Sequence, residues 1–203
     1  MSHYFETPDG PEARQEIAAT IWGRGYRFVT AGGVFSGSRL DPGTAVLLRS
    51  VDPPPPTPGL RLLDLGCGYG PIAVALAASC PAAQVTALDV NERALELTRA
   101  NAARAGVTVD ARHPADVDPA SRFDEIWSNP PIRIGKDALH DLLGTWLARL
   151  TNEGRAYLVV GRNLGADSLQ AWLDEQGWPT ERLASAKGYR VLKVAASQFD
   201  NAA

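Results

Sequence analysis

Residues 60–76 constrain the fold of this chain more than any other stretch of its sequence. Residues 60–65 are apolar enough for a strand that is covered on both faces, as in a parallel sheet. Three glycines follow, Gly66, Gly68 and Gly70, which let the backbone turn sharply and leave room for a ligand. Pro71 suits the first position of a helix, whose free N–H groups and positive dipole end attract an anion or a polar ligand. The pattern therefore predicts a ligand that lies across the end of this strand.

An acidic residue after the next apolar run narrows the choice of ligand. Asp89 follows residues 85–88, at about the distance where nucleotide-binding sheets place an acid against ribose hydroxyls. The dinucleotide motif G-x-G-x-x-G would need a glycine where this chain has Pro71. The frame D-x-G-x-G-x-G fits instead, from Asp64 to Gly70, and it resembles the first motif of class I S-adenosylmethionine (SAM) methyltransferases. The pattern alone leaves a dinucleotide site or a plain strand–helix turn as alternatives.

Strands and helices alternate from residue 60 onward, which predicts a doubly wound parallel sheet. Another two apolar runs, 181–186 and 189–195, flank Lys187-Gly188 and predict a C-terminal hairpin. We expect core strands near 60–65, 84–88, 107–112, 123–127 and 156–160, helices near 71–79 and 92–105, a helix whose apolar stripe runs from Leu139 to Leu150, and a last helix that Gly177 ends.

The first 51 residues are expected to form an extension that packs on this core. Residues 17–22 and 26–30 flank a glycine-bearing turn and predict a small β-hairpin. In the glycine-rich segment that follows, Asp41 is expected to cap a helix through residue 51, with Pro42 at its first position. Residues 52–59 are rich in proline and predict a stiff linker, so the core is expected to span residues 60–196 of a single-domain chain.

The segment Ser128-Asn129-Pro130-Pro131-Ile132 follows the fourth core strand and indicates the chemistry. Two prolines fix the backbone and remove two N–H donors, which leaves hydrogen-bond acceptors. The amide oxygen of Asn129 and the carbonyl of Pro130 are expected to converge on one planar NH₂ group. Acceptors that pull on its hydrogens favour the pyramidal amine, whose lone pair attacks carbon. We therefore predict N-methylation, with Asn129, Pro130, Pro131 and Ile132 as the catalytic segment; a purely structural turn is the alternative.

Three blocks together resemble the "methyltransferase small" family, whose best-known members methylate guanine N2 in small-subunit ribosomal RNA. They are residues 33–36 with 40–44, residues 129–136 and residues 188–193, and the resemblance covers roughly residues 17–195. It implies an α/β, Rossmann-like class I methyltransferase fold with a mostly parallel seven-stranded sheet and a C-terminal antiparallel hairpin. It also implies SAM as cofactor, S-adenosylhomocysteine as its product, and no metal.

The resemblance also implies roles for particular residues. The cofactor-binding set is Asp64, Gly66, Cys67, Gly68, Asp89, Val90, Asp116 and Asn129. Within it, Asp89 would bind the ribose, and Asp116 would lie near the adenine unless it is an ordinary surface acid. The substrate-binding set is Phe35, Arg39, Arg133, Lys136 and Arg190. Phe35, Arg39 and Asp41 would close over the cofactor or the target base.

Two departures from the family pattern concern the target. Many relatives carry an aromatic residue after Asn-Pro-Pro that stacks on the target base, whereas this chain has Ile132. Apolar contact by Ile132 or help from Phe35 must then substitute. Some members also have a second, inactive methyltransferase-like half, for which 203 residues leave no room. RNA recognition is then expected from the single domain, from a partner or from self-association, as a monomer or a homodimer.

The net charge of −3 and the pI near 5.6 weigh against a generic nucleic-acid coat. A local basic patch remains compatible with that balance and would contact phosphates, whereas scattered solvated cations are the alternative. The candidate cations are Arg39, Arg133, Lys136, Lys187, Arg190 and Lys193.

Cysteine content and hydropathy exclude several other classes of protein. The two cysteines, Cys67 and Cys80, offer neither a disulfide framework nor a metal site. Cys67 is either a nucleophile, as in enzymes that methylate a pyrimidine carbon, or a small side chain beside the cofactor, which we favour. No apolar run approaches the ~20 residues that span a bilayer, and no signal peptide is visible. We therefore expect a cytoplasmic protein without a membrane partner.

Three functional hypotheses follow from these motifs. The first is a SAM-dependent N-methyltransferase for guanine N2 of 16S ribosomal RNA, as free RNA or in the small ribosomal subunit. The second is an N-methyltransferase for another planar NH₂ group, adenine N6 or a protein glutamine. The third is a catalytically silent binding module, which the presence of the motif residues Asp64, Gly66, Gly68, Asp89 and Asn129 disfavours.

Overall fold

The computed structural model describes residues 14–32 and 39–197. Its strands are β1 (Arg14–Ile21), β2 (Arg24–Ala31), β3 (Arg61–Leu65), β4 (Gln84–Leu88), β5 (Asp110–Arg112), β6 (Phe123–Ser128), β7 (Leu150–Gly161), β8 (Thr180–Ala186) and β9 (Tyr189–Ala195). Its helices are α1 (Pro42–Ser50), α2 (Pro71–Ser79), α3 (Glu92–Ala105), α4 (Lys136–Leu147) and α5 (Ala166–Glu175), with short 3₁₀ turns at Pro114–Asp116, Ile132–Ile134 and Arg162–Leu164. Across these ranges, no helix is both long and apolar enough to cross a membrane.

Strands β3 to β9 form one seven-stranded sheet in the order β5-β4-β3-β6-β7-β9-β8. Strands β3 to β7 run parallel, and β9 lies antiparallel between β7 and β8. The chain builds outward from β3 to β5 and then returns to β6 on the other side of β3. Such a reversal opens a crevice at the carboxyl ends of the two neighbouring strands. The predicted parallel sheet with an antiparallel C-terminal hairpin is confirmed.

Helices cover both faces of the sheet because its central strands are apolar on both sides. Leu62 packs in one core with α1, α2, α3 and the β1–β2 hairpin. Its neighbour Leu63 points to the opposite face and packs in a second core with α4 and α5. The result is a three-layer arrangement in which only the strand ends are left to form a site.

Besides its apolar packing, the β1–β2 hairpin is hydrogen-bonded to the core through a buried side chain of α3, that of Asn101. The Asn101 amide oxygen accepts from the Val29 N–H at 2.7 Å, and its Nδ2 donates to the Val29 carbonyl at 2.9 Å. The side chain thus uses both hydrogen-bonding groups that Val29 would offer a third strand. The same Nδ2 donates to the Tyr69 carbonyl at 2.8 Å, so the hairpin, α3 and the glycine turn after β3 are tied together.

Several element boundaries differ from the prediction, most clearly around α4 and in the third core strand. The leucine stripe predicts a helix through Leu150, but α4 ends at Leu147 and Leu150 begins β7, paired with Phe123. The spacing misleads because the chain turns between these elements, where the Arg149 carbonyl accepts from the Phe123 N–H at 2.8 Å. The third core strand is also shorter than expected, since only Asp110–Arg112 pair with β4.

Candidate active site

A cavity of about 610 Å³ opens at the carboxyl ends of the central strands, where the order of the sheet reverses. Its walls come from the glycine turn after β3, the end of β4, the Asn-Pro-Pro segment after β6, one face of α4, and the adjoining ends of β7 and β9. The lining includes Gly66, Cys67, Gly68, Asp89, Val90, Asn129, Pro130, Pro131, Ile132, Arg133, Gly161, Leu164 and Tyr189.

The glycine turn is held by the end of β4. The N–H groups of Gly66 and Cys67 both donate to the Leu88 carbonyl, at 2.8 and 2.9 Å, and the Gly68 N–H donates to Asp89 Oδ2 at 3.0 Å. Gly66 has φ +77°, and a Cβ built there would lie 3.9 Å from Pro131 Cδ. A side chain at this position would enter the gap between the two walls that a ligand must use.

Gly70 is required for packing rather than for ligand contact. It has φ +84°, and a Cβ built on it would lie 2.8 Å from the Thr98 side chain and 3.1 Å from Thr98 Cα. Only glycine allows α2 to begin this close to α3. The Thr98 hydroxyl also donates to the Gly68 carbonyl at 3.0 Å, which supports the turn from behind.

The two acids of the motif have different environments. Asp64 is fully buried, and its Oδ2 accepts from the Ala73 N–H at 2.9 Å, which anchors α2 to β3. Burial, with a smaller contribution from the Asp89 carboxylate, raises the pKa of Asp64 to about 7. Asp89 lines the cavity, and its Oδ1 accepts from the Asn91 N–H at 2.9 Å. Burial also raises the pKa of Asp89, while these backbone hydrogen bonds oppose that rise.

Cys67 does not have the surroundings of a nucleophile. Its thiol is buried and lies 3.5 Å from the Thr98 hydroxyl. Burial raises the pKa of the thiol well above its ordinary value, and the Asp64 and Asp89 carboxylates add to that rise. Because the thiolate is the reactive form, this environment favours the small structural side chain over the nucleophile.

Asn129 is oriented by two residues of the distant α1. Its Nδ2 donates to Asp41 Oδ1 at 2.7 Å and to Thr44 Oγ1 at 3.1 Å. Asp41 is buried, and the same Oδ1 caps α1 by accepting from the Thr44 N–H at 2.9 Å. A carboxylate can only accept hydrogen bonds, so the amide nitrogen must face Asp41. The amide oxygen of Asn129 is then the atom left to accept from a ligand.

The backbone around the two prolines is fixed at both ends. The Ser128 hydroxyl donates to the Leu65 carbonyl at 2.7 Å, which joins the end of β6 to the end of β3. The Ile132 N–H donates to the Pro130 carbonyl at 2.8 Å across a tight turn at Pro131. The Pro130 carbonyl therefore already accepts one hydrogen bond and has one lone pair remaining for a ligand.

Most but not all of the residues predicted for the site line the cavity. Asp64 lies beneath the cavity and anchors α2. Asp116 is exposed on the 3₁₀ turn beside the cavity, and Pro114 of that turn lines the cavity instead. Arg39 and Lys136 are exposed outside the lining, whereas Arg190 forms an ion pair with Asp167. The other predicted residues of both sets line the cavity, apart from Phe35, which lies outside the described residues.

Sequence reasoning missed several residues of the cavity wall. Gly161 ends β7, Leu164 follows in the next turn, and Tyr189 begins β9. Thr44 was missed as the second partner of Asn129. The available signals were the position of Gly161 at a strand end and the presence of Tyr189 and Thr44 in the family blocks. Neither signal says which side chains face the cavity.

The family model "Methyltransferase small domain" matches residues 25–193, and the chain belongs to this family. The Bacillus subtilis (strain 168) protein YbxB is 33% identical over 196 residues, which are 95% of this chain and 96% of that protein. Ribosomal RNA small subunit methyltransferase C of Citrobacter koseri is 37% identical over 188 residues, covering 87% of this chain and 53% of that protein. The chain thus spans about half the length of such relatives.

The fold comparison agrees with the family. The structure of the T. thermophilus 16S rRNA N2 G1207 methyltransferase (RsmC) in complex with AdoMet and guanosine matches with a TM-score of 0.79 and 27% identity. The match covers 93% of this chain and 52% of that one. The chain is a SAM-dependent methyltransferase, as its sequence predicts.

The described residues fit this cofactor. Gly66 adds no side chain to the entry, and the Asp89 carboxylate, which accepts backbone hydrogen bonds from Gly68 and Asn91, has lone pairs left for a hydroxyl. A pair of adjacent ribose hydroxyls suits such a carboxylate. Within residues 14–32 and 39–197, no three His, Cys, Asp or Glu side chains meet as a metal site.

Proposed function

We propose that this protein methylates the exocyclic N2 amine of a guanine in small-subunit ribosomal RNA. Support comes from relatives named ribosomal RNA small subunit methyltransferase C and from the similarity to RsmC, whose structure holds AdoMet and guanosine. In this proposal the Gly66–Gly68 turn and Asp89 hold SAM, with Asp89 on the ribose, and the segment from Asn129 to Ile132 receives the amine.

The observation that carries the proposal is the orientation of the Asn129 amide. Asp41 and Thr44 together fix its nitrogen, so its oxygen is presented as an acceptor in the wall of the cavity. The Pro130 carbonyl, one residue away, supplies the second acceptor. Two acceptors in adjacent residues match the two hydrogens of a planar NH₂ group.

The chain's own residues align and polarise the amine. When bound, SAM would supply a methyl group on a sulfonium sulfur, so that the nitrogen lone pair forms an N–C bond as the C–S bond breaks and S-adenosylhomocysteine leaves. Asn129 and Pro130 hold the two N–H bonds and thereby turn the lone pair out of conjugation with the ring. The methylated amine is acidic and loses its proton to water, so the site needs no strong base. The described lining accordingly contains no histidine.

Recognition of RNA by this chain rests on local charge, since the net charge is −3. Arg133 lines the cavity and is exposed, and the exposed Lys136 begins α4 immediately beyond it. Both residues follow the Asn-Pro-Pro segment, where they would contact phosphates next to the target base. Arg190 is less suited to this role because Asp167 already pairs with it.

The test is methyl transfer from labelled SAM to deproteinised 16S ribosomal RNA and, separately, to isolated small subunits. We expect label in N2-methylguanine after digestion to nucleosides, with at least one of the two substrates. The Asn129→Ala variant serves as the control for a contaminating activity. Label in N6-methyladenine or in protein would instead support the second hypothesis.

Calorimetric titration with SAM addresses the silent-module hypothesis. Binding of one SAM per chain is expected, because the glycine turn and Asp89 have the required form. A protein that binds no SAM and transfers no methyl group to RNA would contradict the proposed function.

A further inference from the structure

Position 132 is isoleucine, so an aromatic ring that stacks on the target base has to come from another part of the cavity wall. Three aromatic side chains of the described residues line the cavity: Tyr69, Trp146 and Tyr189. Tyr69 and Trp146 are buried, with 2% and 3% of their surface exposed, and serve the two cores. Tyr189 is the one that is partly exposed, so its ring has a face available to a ligand.

Tyr189 lies directly beside the residues that orient Asn129. A Cβ built on Gly43 would lie 3.0 Å from Tyr189 Cε1 and 3.0 Å from Asp41 Oδ1, so the ring packs against the first turn of α1. Asp41 in turn holds the Asn129 amide. The ring and the proposed amine acceptors therefore border the same end of the cavity.

Leu164 lies on the other side of Tyr189. Gly161 pairs with Tyr189 across the antiparallel β7–β9 ladder, and residues that face each other in this way project to the same face of the sheet. The place of the missing Gly161 Cβ is filled by Leu164, whose Cδ1 lies 3.0 Å from it. Leu164 is 53% exposed although it is a large apolar side chain. Leu164 therefore adds exposed apolar surface to the cavity wall at the end where Tyr189 lies.

The loop that carries Leu164 is fixed and has cationic neighbours. The Arg162 N–H donates to the Gly188 carbonyl at 2.7 Å, which ties the 3₁₀ turn after β7 to the β8–β9 turn. Arg162 and Lys187 are both exposed, next to Gly161 and two residues before Tyr189. Two exposed cations at this end of the β7–β9 ladder suit the phosphates that flank a nucleobase better than they suit a neutral amide side chain.

We propose that Tyr189 and Leu164 form the slot that receives the target nucleobase, with the Tyr189 ring stacked on it in place of an aromatic residue at position 132. This inference rests on the proposed function. Stacking on a single aromatic ring holds any base by its flat face, so the slot accounts for base binding, and the acceptors of Asn129 and Pro130 select the amine. Tyr189 is thus a substrate-binding residue that the Asn-Pro-Pro motif does not reveal.

Kinetics with 16S ribosomal RNA separate stacking from structure. Tyr189→Phe keeps the ring and should stay within about 2-fold of the parent in kcat/KM, whereas Tyr189→Leu should lose about 5- to 150-fold, the range of base–aromatic stacking. Leu164→Ala should show a smaller loss in the same direction. Leu183→Ala is the matched control, because Leu183 is an exposed leucine of β8 that does not line the cavity. SAM affinity should be the same in all variants, which shows that Tyr189→Leu leaves the rest of the cavity intact although it removes ring packing against α1.

A binding measurement keeps this inference separable from the proposed activity. Saturation-transfer NMR with free guanosine, in the presence of S-adenosylhomocysteine, should give transfer to the purine H8 in the parent and Tyr189→Phe but little in Tyr189→Leu. Equal transfer and equal kinetics in Tyr189→Leu would overturn the slot while leaving the proposed function intact. Binding of a glutamine peptide instead of guanosine would also overturn it. A parent protein that methylates no RNA would refute the proposed function, and the guanosine signal would still test the slot.

Discussion

The cavity has two walls that are built in different ways. The wall proposed for the cofactor, called the cofactor wall, is formed by the glycine turn and Asp89, with Asp64 beneath it, and the hydrogen bonds that Leu88, Asp89 and Asp64 accept join residues of one β–α–β unit. The wall proposed for the target, called the target wall, is formed by Asn129, Asp41, Leu164 and Tyr189, and the bond from Asn129 to Asp41 spans 88 residues. The cofactor wall is therefore a product of local structure, whereas the target wall exists only once distant elements have packed.

This difference predicts which property of the protein a substitution in each wall should change. Asp64 and Gly70 support the fold beneath the cofactor wall, so changes there should alter the free energy of unfolding. Asn129 and Asp41 support the reacting amine, so changes there should alter methyl transfer more than stability or SAM affinity. If the first group of variants changes mainly stability and the second mainly methyl transfer, the two walls are functionally distinct. If both groups change both properties equally, they are not.

The largest expected effect is that of Asn129→Ala on methyl transfer. The variant loses one of the two acceptors for the amine, and removal of such a preorganised polar group costs about 10²- to 10³-fold in kcat. SAM affinity by calorimetry should change far less than kcat with 16S ribosomal RNA. A variant in which SAM affinity falls as much as kcat would assign Asn129 to the cofactor wall instead.

The next effect is on the pH dependence of stability, through Asp64. Its pKa is about 7 in the folded protein and near 3.8 when unfolded, so the folded state binds more protons between these values. The contribution of Asp64 to the free energy of unfolding should therefore fall as pH rises from about 4 to about 7 and level off above that.

Asp64→Asn removes this ionisation and keeps an oxygen that can accept from the Ala73 N–H. The free energy of unfolding of Asp64→Asn minus that of the parent should increase by about 2–3 kcal/mol when the pH is raised from 5 to 8. Urea unfolding of SAM-free protein at the two pH values measures it. A pH-independent difference would mean that the Asp64 carboxyl titrates alike in both states.

Gly70→Ala should lower the free energy of unfolding by about 1–3 kcal/mol, because alanine would have to adopt a left-handed conformation and its Cβ would lie too close to Thr98. Gly106→Ala is the matched control on the end of α3. Gly106 has φ +69°, but nothing lies within 4 Å of its ideal Cβ, so this variant has the backbone cost alone. Equal losses in the two variants, measured by urea unfolding, would show that the close approach of α2 to α3 is unimportant.

The smallest effect is expected for Asp41→Asn. Asparagine caps a helix about as well as aspartate, so the melting temperature should stay close to that of the parent. The amide at position 41 no longer obliges the Asn129 nitrogen to face it, and the Asn129 oxygen is then oriented for only part of the time. We expect kcat to fall about 10-fold, by analogy with loss of one orienting hydrogen bond. Full activity in steady-state assays would leave Thr44 as the sufficient partner of Asn129.

Five residues of the predicted cofactor-binding set are neighbours in sequence or in the sheet, and the structure brings them to one side of the cavity. Gly66, Cys67, Gly68, Asp89 and Val90 all line the cavity, because a strand, a glycine turn and a helix start fix one another over a few residues. Asp64 was predicted from the same motif, yet it supports α2 from below. A motif shows that a residue is needed near a ligand but not whether its side chain touches the ligand.

The residues of the target wall were harder to predict for a physical reason. Asn129 and its prolines were found because two adjacent prolines are a strong local signal. The pairing of Asn129 with Thr44 depends instead on how α1 packs. The positions of Tyr189 and Leu164 around Gly161 depend in the same way on how β9 packs. Arg190 illustrates the same limit, since its pairing with Asp167 is a tertiary contact.

The order of strands and helices, the glycine turn after β3 and the rigid Asn129-Pro130-Pro131 segment follow from the sequence, because periodicity, glycine and proline act through the local backbone. What only the tertiary structure decided is which side chains meet at the cavity. A contact such as that between Asn129 and Asp41 forms between residues 88 positions apart, and its geometry is set by the packing of whole elements rather than by either residue's neighbours.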